Sequence, residues 1–209
     1  MDWHTWLAFF VASWIIAVSP GSGAVLSMSH GLSYGVRKTS ATILGLQLGL
    51  LLILLIAGAG VGSLLMASEI AFNVVKIVGA AYLIYLGISQ WRAGGSALAA
   101  QESMPQISFQ KRVLTGFLTN ATNPKGIIFM VAVLPQFMSS NRPLAPQLAI
   151  LAVTMLAVDT VVMHSYAAGA SALRSLMRSA RAMRNQNRVF GSLLVAVGTG
   201  LFFVQRANQ

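Results

Sequence analysis

Apolar residues run through this chain in long unbroken blocks rather than in short alternating stripes. From residue 39 to residue 68 no side chain carries a formal charge, and that run of roughly 30 residues exceeds the roughly 20 a helix needs to cross the hydrocarbon of a bilayer. The same pattern predicts six membrane helices, at residues 6–28, 39–66, 70–91, 113–137, 146–170 and 189–204. Helices are predicted rather than barrel strands, because backbone in lipid must satisfy its own hydrogen bonds and barrel strands would alternate apolar and polar positions. The first block begins with Asp2 and His4 rather than Lys or Arg and no small-residue cleavage pattern follows it, so it is expected to remain in the mature protein.

Composition agrees. Of 209 residues, 56% are hydrophobic and 9% charged, against about 25% charged in a soluble domain, which excludes a water-soluble globule. The absence of cysteine removes disulfides, thiolate metal sites and a thiol nucleophile. His4, His30 and His164 are too scattered for a metal site, and no metal or other cofactor is expected. A net charge of +10 would fit a nucleic-acid partner if the basic residues clustered to track phosphates. They lie instead at the ends of the apolar blocks, so the expected partner is membrane lipid and no nucleic acid.

Arg37 and Lys38, then Arg92, Lys111 and Arg112, then Arg174, Arg178, Arg181, Arg184 and Arg188 all fall on one side of the predicted membrane. Arg142 and Arg206 fall on the other, with Asp2 and Glu69, so the positive-inside bias puts both termini outside the cytoplasm. The last group of arginines lies along one face of a helix, which suits a lipid surface, although retention of a cytoplasmic loop accounts for the same charges. Trp3, Trp6 and Trp91 suit the headgroup level as anchors. Residues 93–112 read as a linker between two halves, 1–92 and 113–209.

Three spans per half is an odd number, so a repeat relating the halves must be inverted in the membrane, a transporter signature. The first span of each half carries a polar Pro interruption, Ser19, Pro20 and Gly21 in one and Asn123, Pro124, Lys125 and Gly126 in the other. Each proline lacks an N–H, so the carbonyls of Ile16 and Asn120 lose their helical donors. The half-helices after the breaks begin with free N–H groups suited to the carboxylate or carbonyl of a small substrate. Lys125 and Asp159 lie near the centres of their spans, where a charge costs at least about 2.5 kcal/mol, so both are expected to face an interior cavity and each other. The pair is either structural or a site at which Asp159 exchanges a proton and Lys125 meets substrate or the aspartate in turn. Lys76 is close enough to a headgroup layer to snorkel. Gln47, between Gly45 and Gly49, either bonds across a close helix contact or lines the pathway. The pairs Gly45/Gly49 and Gly58/Gly62 are expected to serve packing.

These motifs resemble the LysE/RhtB family of bacterial amino-acid exporters over nearly the whole chain. The matching stretches are Ser19-Pro20-Gly21, residues 31–49, residues 79–87 around Tyr82, and residues 116–125 ending Asn123-Pro124-Lys125, followed by Pro135-Gln136-Phe137. The resemblance implies export from the cytoplasm, across the bacterial inner membrane, of amino acids or derivatives such as homoserine, threonine or homoserine lactone, driven by the proton gradient. It maps the family's break onto Pro20 and Gly21, its Asn-Pro-Lys onto Asn123, Pro124 and Lys125, and its span-five aspartate onto Asp159. Ser22 stands where the family usually has a second proline.

The expected fold is an all-α membrane protein, six transmembrane helices in a 3+3 inverted repeat with Pro-broken first and fourth helices. The expected function is proton-coupled export, with Pro20, Gly21, Gln47, Asn120, Asn123, Pro124 and Lys125 at the substrate and Asp159 with Lys125 in coupling. A passive channel is the alternative. An intramembrane enzyme would need a catalytic constellation, and Asp159 is the only acidic residue inside a predicted span. Small residues on several helices permit a homodimer without requiring one.

Overall fold

The computed structural model of the protein describes residues 1–19, 21–61, 69–92, 107–139 and 141–172, together with single positions between 184 and 199. Among the described residues there are seven α-helices and no strand: α1 (Trp3–Val18), α2 (Ser22–Tyr34), α3 (Val36–Leu55), α4 (Glu69–Arg92), α5 (Phe109–Ala121), α6 (Pro124–Val133) and α7 (Leu144–Ala172). A π-helical turn, Ile56–Val61, prolongs α3. A 3-10 turn, Leu134–Phe137, ends α6, where Pro135 lacks the N–H another α-turn would need.

Among the described residues two stretches are by themselves long and apolar enough to cross a bilayer, Val36–Gly58 and Leu144–Ala172. Two helix pairs reach that length jointly but are bent, α1 with α2 by 56° and α5 with Pro124–Phe137 by 51°. The predicted span 70–91 falls on α4. The predicted span 189–204 and the basic helix before it lie, apart from single positions, outside the described residues, as do linker residues 93–106.

Local chemistry sets several of the ends. The Asp2 carboxylate accepts from the Thr5 N–H at 2.8 Å and from the Thr5 hydroxyl at 2.8 Å, which caps α1 and holds that carboxyl down to about 2. Ser108 caps α5 by accepting from the Lys111 N–H at 3.3 Å. Gly35, at φ 75°, is the single residue between α2 and α3; its N–H closes on the Gly31 carbonyl, and a side chain there would be strained.

The packing is inverted relative to a soluble protein. Leu44, Leu48, Leu52 and Leu55 form an exposed stripe on α3, and Val153 and Val161 are exposed on α7. Ser13, Ser29, His30, Thr39, Thr42 and Gln147 are buried. Several interior polar groups are partnered: His30 Nδ1 meets the Thr42 hydroxyl at 2.6 Å, and the Gln147 amide gathers the Ser139, Arg142 and Pro143 carbonyls while accepting from the Ser139 N–H. An apolar outside over an inside that holds many of the polar groups suits hydrocarbon as the surrounding solvent.

The closest helix crossing is α3 on α5. A Cβ added at Gly45 would stand 2.0 Å from the Val113 carbonyl oxygen, and one at Gly116 would stand 2.1 Å from that of Thr42. The two backbones therefore touch directly, and the Gly45/Gly49 pair serves packing as expected. Gly58 likewise lies against Leu148; Gly62 is outside the described residues. Trp6 differs from a simple headgroup anchor, because its indole N–H donates to the Thr154 hydroxyl at 3.0 Å and so ties α1 to α7. Trp3 stacks on it with ring centroids 4.8 Å apart.

Candidate functional site

The two bends meet. At the second, Asn123 Oδ1 accepts from the Lys125 N–H at 3.1 Å and Pro124 supplies the first helical position of α6, a favourable start because that N–H would be unused. The Asn120 carbonyl, freed by Pro124, accepts from the Asn123 N–H at 3.0 Å. This cap places Lys125 one residue into α6, buried at 8% exposure, with its side chain directed across to the end of α1. There its ammonium donates to the Ile16 carbonyl at 3.2 Å and to the Ser19 carbonyl. The Ile16 carbonyl deprived by proline is thus held from the other half of the chain. Tyr166 on α7 does the same for the Val18 carbonyl, donating its hydroxyl at 2.6 Å.

Asp159 on α7 is buried at 7% exposure and accepts from Gln47 Nε2 of α3 at 2.7 Å. Gln47 Oε1 is buried with no hydrogen-bond partner among the described residues. Asn120 Nδ2 donates to the Leu46 carbonyl at 2.8 Å, an exchange made possible by the close α3–α5 crossing, and Asn123 Nδ2 reaches Asn120 Oδ1 at 3.4 Å.

A cavity of about 40 Å³ lies among these groups. Its polar lining includes Ser19, Gly21, Asn120, Asn123, Lys125 and Asp159, and Phe129, Met130, Met155 and Met163 supply apolar surface. That volume holds a few waters, whereas sites that enclose drug-sized ligands run to roughly 300 Å³ or more.

Of the residues singled out from sequence, Gly21, Asn120, Asn123, Lys125 and Asp159 line this one cavity. Gln47 stands behind it, bonded to Asp159. Pro124 is exposed and acts through the backbone bend, and Pro20 lies outside the described residues. Lys125 and Asp159 share the cavity but make their hydrogen bonds to different partners, the first to carbonyls and the second to an amide. Tyr166 and the methionines were not legible in advance, since nothing in spacing marks a tyrosine as the donor to a carbonyl on another helix, or an apolar residue as lining. Among the described residues no group of three or more His, Asp or Glu side chains is arranged to hold a metal.

A helical membrane protein with a small cavity that holds two buried charges at two helix bends has the form of a transporter. Residues 14–205 match the LysE type translocator family, and the chain belongs to it; it is a transporter and not an enzyme. It is 40% identical over 198 residues to an uncharacterised membrane protein of Vibrio cholerae, covering 95% of this chain and 96% of that one. It is 38% identical over 211 residues to the homoserine/homoserine lactone efflux protein of Salmonella typhi, covering 99% of this chain and all of the relative. A leucine efflux protein of Klebsiella pneumoniae is 32% identical over 142 residues, 65% of this chain and 64% of the relative. No solved structure matches it.

Proposed function

We propose that the protein exports amino acids or close derivatives, homoserine and its lactone foremost, from the cytoplasm across the bacterial inner membrane by proton antiport. The observation that carries this reading is the single cavity in which Lys125 and Asp159 lie buried at the junction of the two bends. A zwitterion needs both signs. Its ammonium has an acceptor in Asp159 and in the unpartnered Gln47 Oε1 beside it, and a buried acceptor without a donor is the kind of group a ligand completes. Its carboxylate, or a lactone carbonyl, has the first turn of α2 at Gly21, where no side chain caps the helix, and the Lys125 charge. The relatives named as homoserine/homoserine lactone and leucine efflux proteins support the same substrate class.

The fold organisation belongs to this reading: six spans in a 3+3 inverted repeat, with the α1/α2 and α5/α6 bends as corresponding Pro-broken spans, both termini outside the cytoplasm. Rocking one half against the other would open the small cavity alternately to each side. Asp159 is the coupling carboxyl, with Lys125 as its cationic counterpart in the cavity; it alternates between releasing a proton to admit the substrate ammonium and regaining one when that ammonium leaves.

The test is efflux of labelled homoserine, its lactone and leucine from proteoliposomes with and without an imposed proton gradient. Gradient-driven accumulation is expected for the wild type. Asp159→Asn is expected to lose it by about 100-fold, the order that removal of an essential proton-transfer group costs. Full gradient-driven transport by Asp159→Asn would remove the coupling role, and gradient-independent leakage by the wild type would indicate a passive channel.

A further inference from the structure

The end of α1 is arranged as a cation site. Residue 20 is a proline, so the Ile16 carbonyl has no helical donor, and the Ser19 carbonyl lies just beyond the last turn of α1. Both oxygens point at one position, the Lys125 ammonium. The end of a helix carries partial negative charge, and α1 has no basic residue of its own in its last turn to answer it. Carbonyls at the end of a broken helix are the groups with which membrane transporters hold small monovalent cations. The lysine reaches them by lying along Gly21: a Cβ there would stand 3.2 Å from Nζ, 3.3 Å from Cε and 3.7 Å from Cδ.

We propose that this is a monovalent-cation site filled by a tethered occupant, the Lys125 ammonium, so that transport needs no free sodium or potassium. Truncating the side chain withdraws the ammonium from both carbonyls and leaves beside them a space the size of the lost propylammonium group. The vacated site then takes a primary ammonium or an alkali cation from solution. The inference rests on the exporter reading for its transport consequence only; the site itself does not depend on it.

Lys125→Ala, reconstituted in nanodiscs, is compared with wild type in n-propylammonium, sodium and choline chloride at equal ionic strength. Choline has no N–H and is too large for the space. The variant's Tm is expected to rise by about 2 to 4 °C in n-propylammonium or sodium relative to choline, with the wild type unchanged. In proteoliposomes its homoserine efflux is expected to fall by about tenfold or more, the loss of a charged buried hydrogen-bond donor, and to recover several-fold with the same cation. A Tm identical in all three salts overturns the proposal. A cation-dependent Tm without recovered efflux upholds the site and counts against the transport reading. Should Lys125→Ala not fold, Lys125→Met, which keeps the stem, is measured in the same way. Wild-type efflux with all sodium and potassium replaced by choline supplies a folded control: unchanged rates support a tethered cation, and a strict need for either ion overturns it.

Discussion

The two bends have nearly the same angle, 56° and 51°, but are held by different means. The α5/α6 bend is closed by its own residues: Asn123 caps α6, Pro124 begins it, and the Asn120 carbonyl is taken by the Asn123 N–H. The α1/α2 bend is not self-supporting. Its α2 has no side-chain cap, and the carbonyls of Ile16, Val18 and Ser19 at the end of α1 are met by Lys125 and Tyr166, more than a hundred residues away. The second bend is thus held locally and the first by residues remote in sequence. If the halves rocked against each other as proposed, the second bend would stay intact and the first would be broken and remade.

Four measurements would break or sharpen that contrast. The largest effect is expected from Gly45→Val, because its side chain would enter the backbone of α5 and forced separation at such a crossing costs about 3 kcal/mol or more. Both bends depend on this crossing, so little folded transporter should be recovered by size-exclusion chromatography; a monodisperse, active variant would show that the crossing is dispensable. Asn123→Ala removes one helix cap and should cost about 1 kcal/mol, read as a lower Tm, and because Asn123 lines the cavity its efflux should fall as well. Tyr166→Phe releases the Val18 carbonyl and should lower stability by about 0.5 to 1.5 kcal/mol, yet change efflux rate several-fold, since it touches the bend the halves share. An efflux rate unchanged by Tyr166→Phe would erase the distinction between a local and a shared bend.

The smallest effect is expected at Asp2. Its hydrogen bonds with Thr5 hold its carboxyl near 2, below the ordinary 3.8. The stabilisation they give is complete above the ordinary value and is lost only as pH falls through about 2. Between pH 5 and 8 Asp2 stays ionised, so Asp2→Asn, which keeps a capping oxygen, should lower Tm by the same small amount throughout and leave efflux unchanged; a difference from wild type that varies with pH in that window would contradict it.

Much of the site was legible because the cost of polarity in lipid is charged residue by residue. Lys125 and Asp159 had to face an interior, and both line the cavity. The freed Ile16 carbonyl followed from Pro20 alone and is indeed taken by a distant donor. The opposite charges were expected to face each other. They share the cavity, but the lysine bonds to the end of α1 and the aspartate to Gln47. Which of two acceptors a buried ammonium chooses is decided by angstroms of helix displacement, and nothing along a single helix encodes that. Gln47 was open between two roles for the same reason, and Trp6 turned inward to Thr154 because the neighbouring face of α7 offered an acceptor.

The order of residues alone therefore determined that the chain lives in lipid, where its helices run, where two of them break and which charges must turn inward, since hydrophobic burial, missing proline donors and desolvation act on each segment by itself. Only the tertiary structure decided who meets whom: Lys125 with α1, Gln47 with Asp159, Gly45 with Val113. Those pairings depend on crossing angles and distances between helices remote in sequence, and short-range hydrogen bonds form only after packing has fixed them.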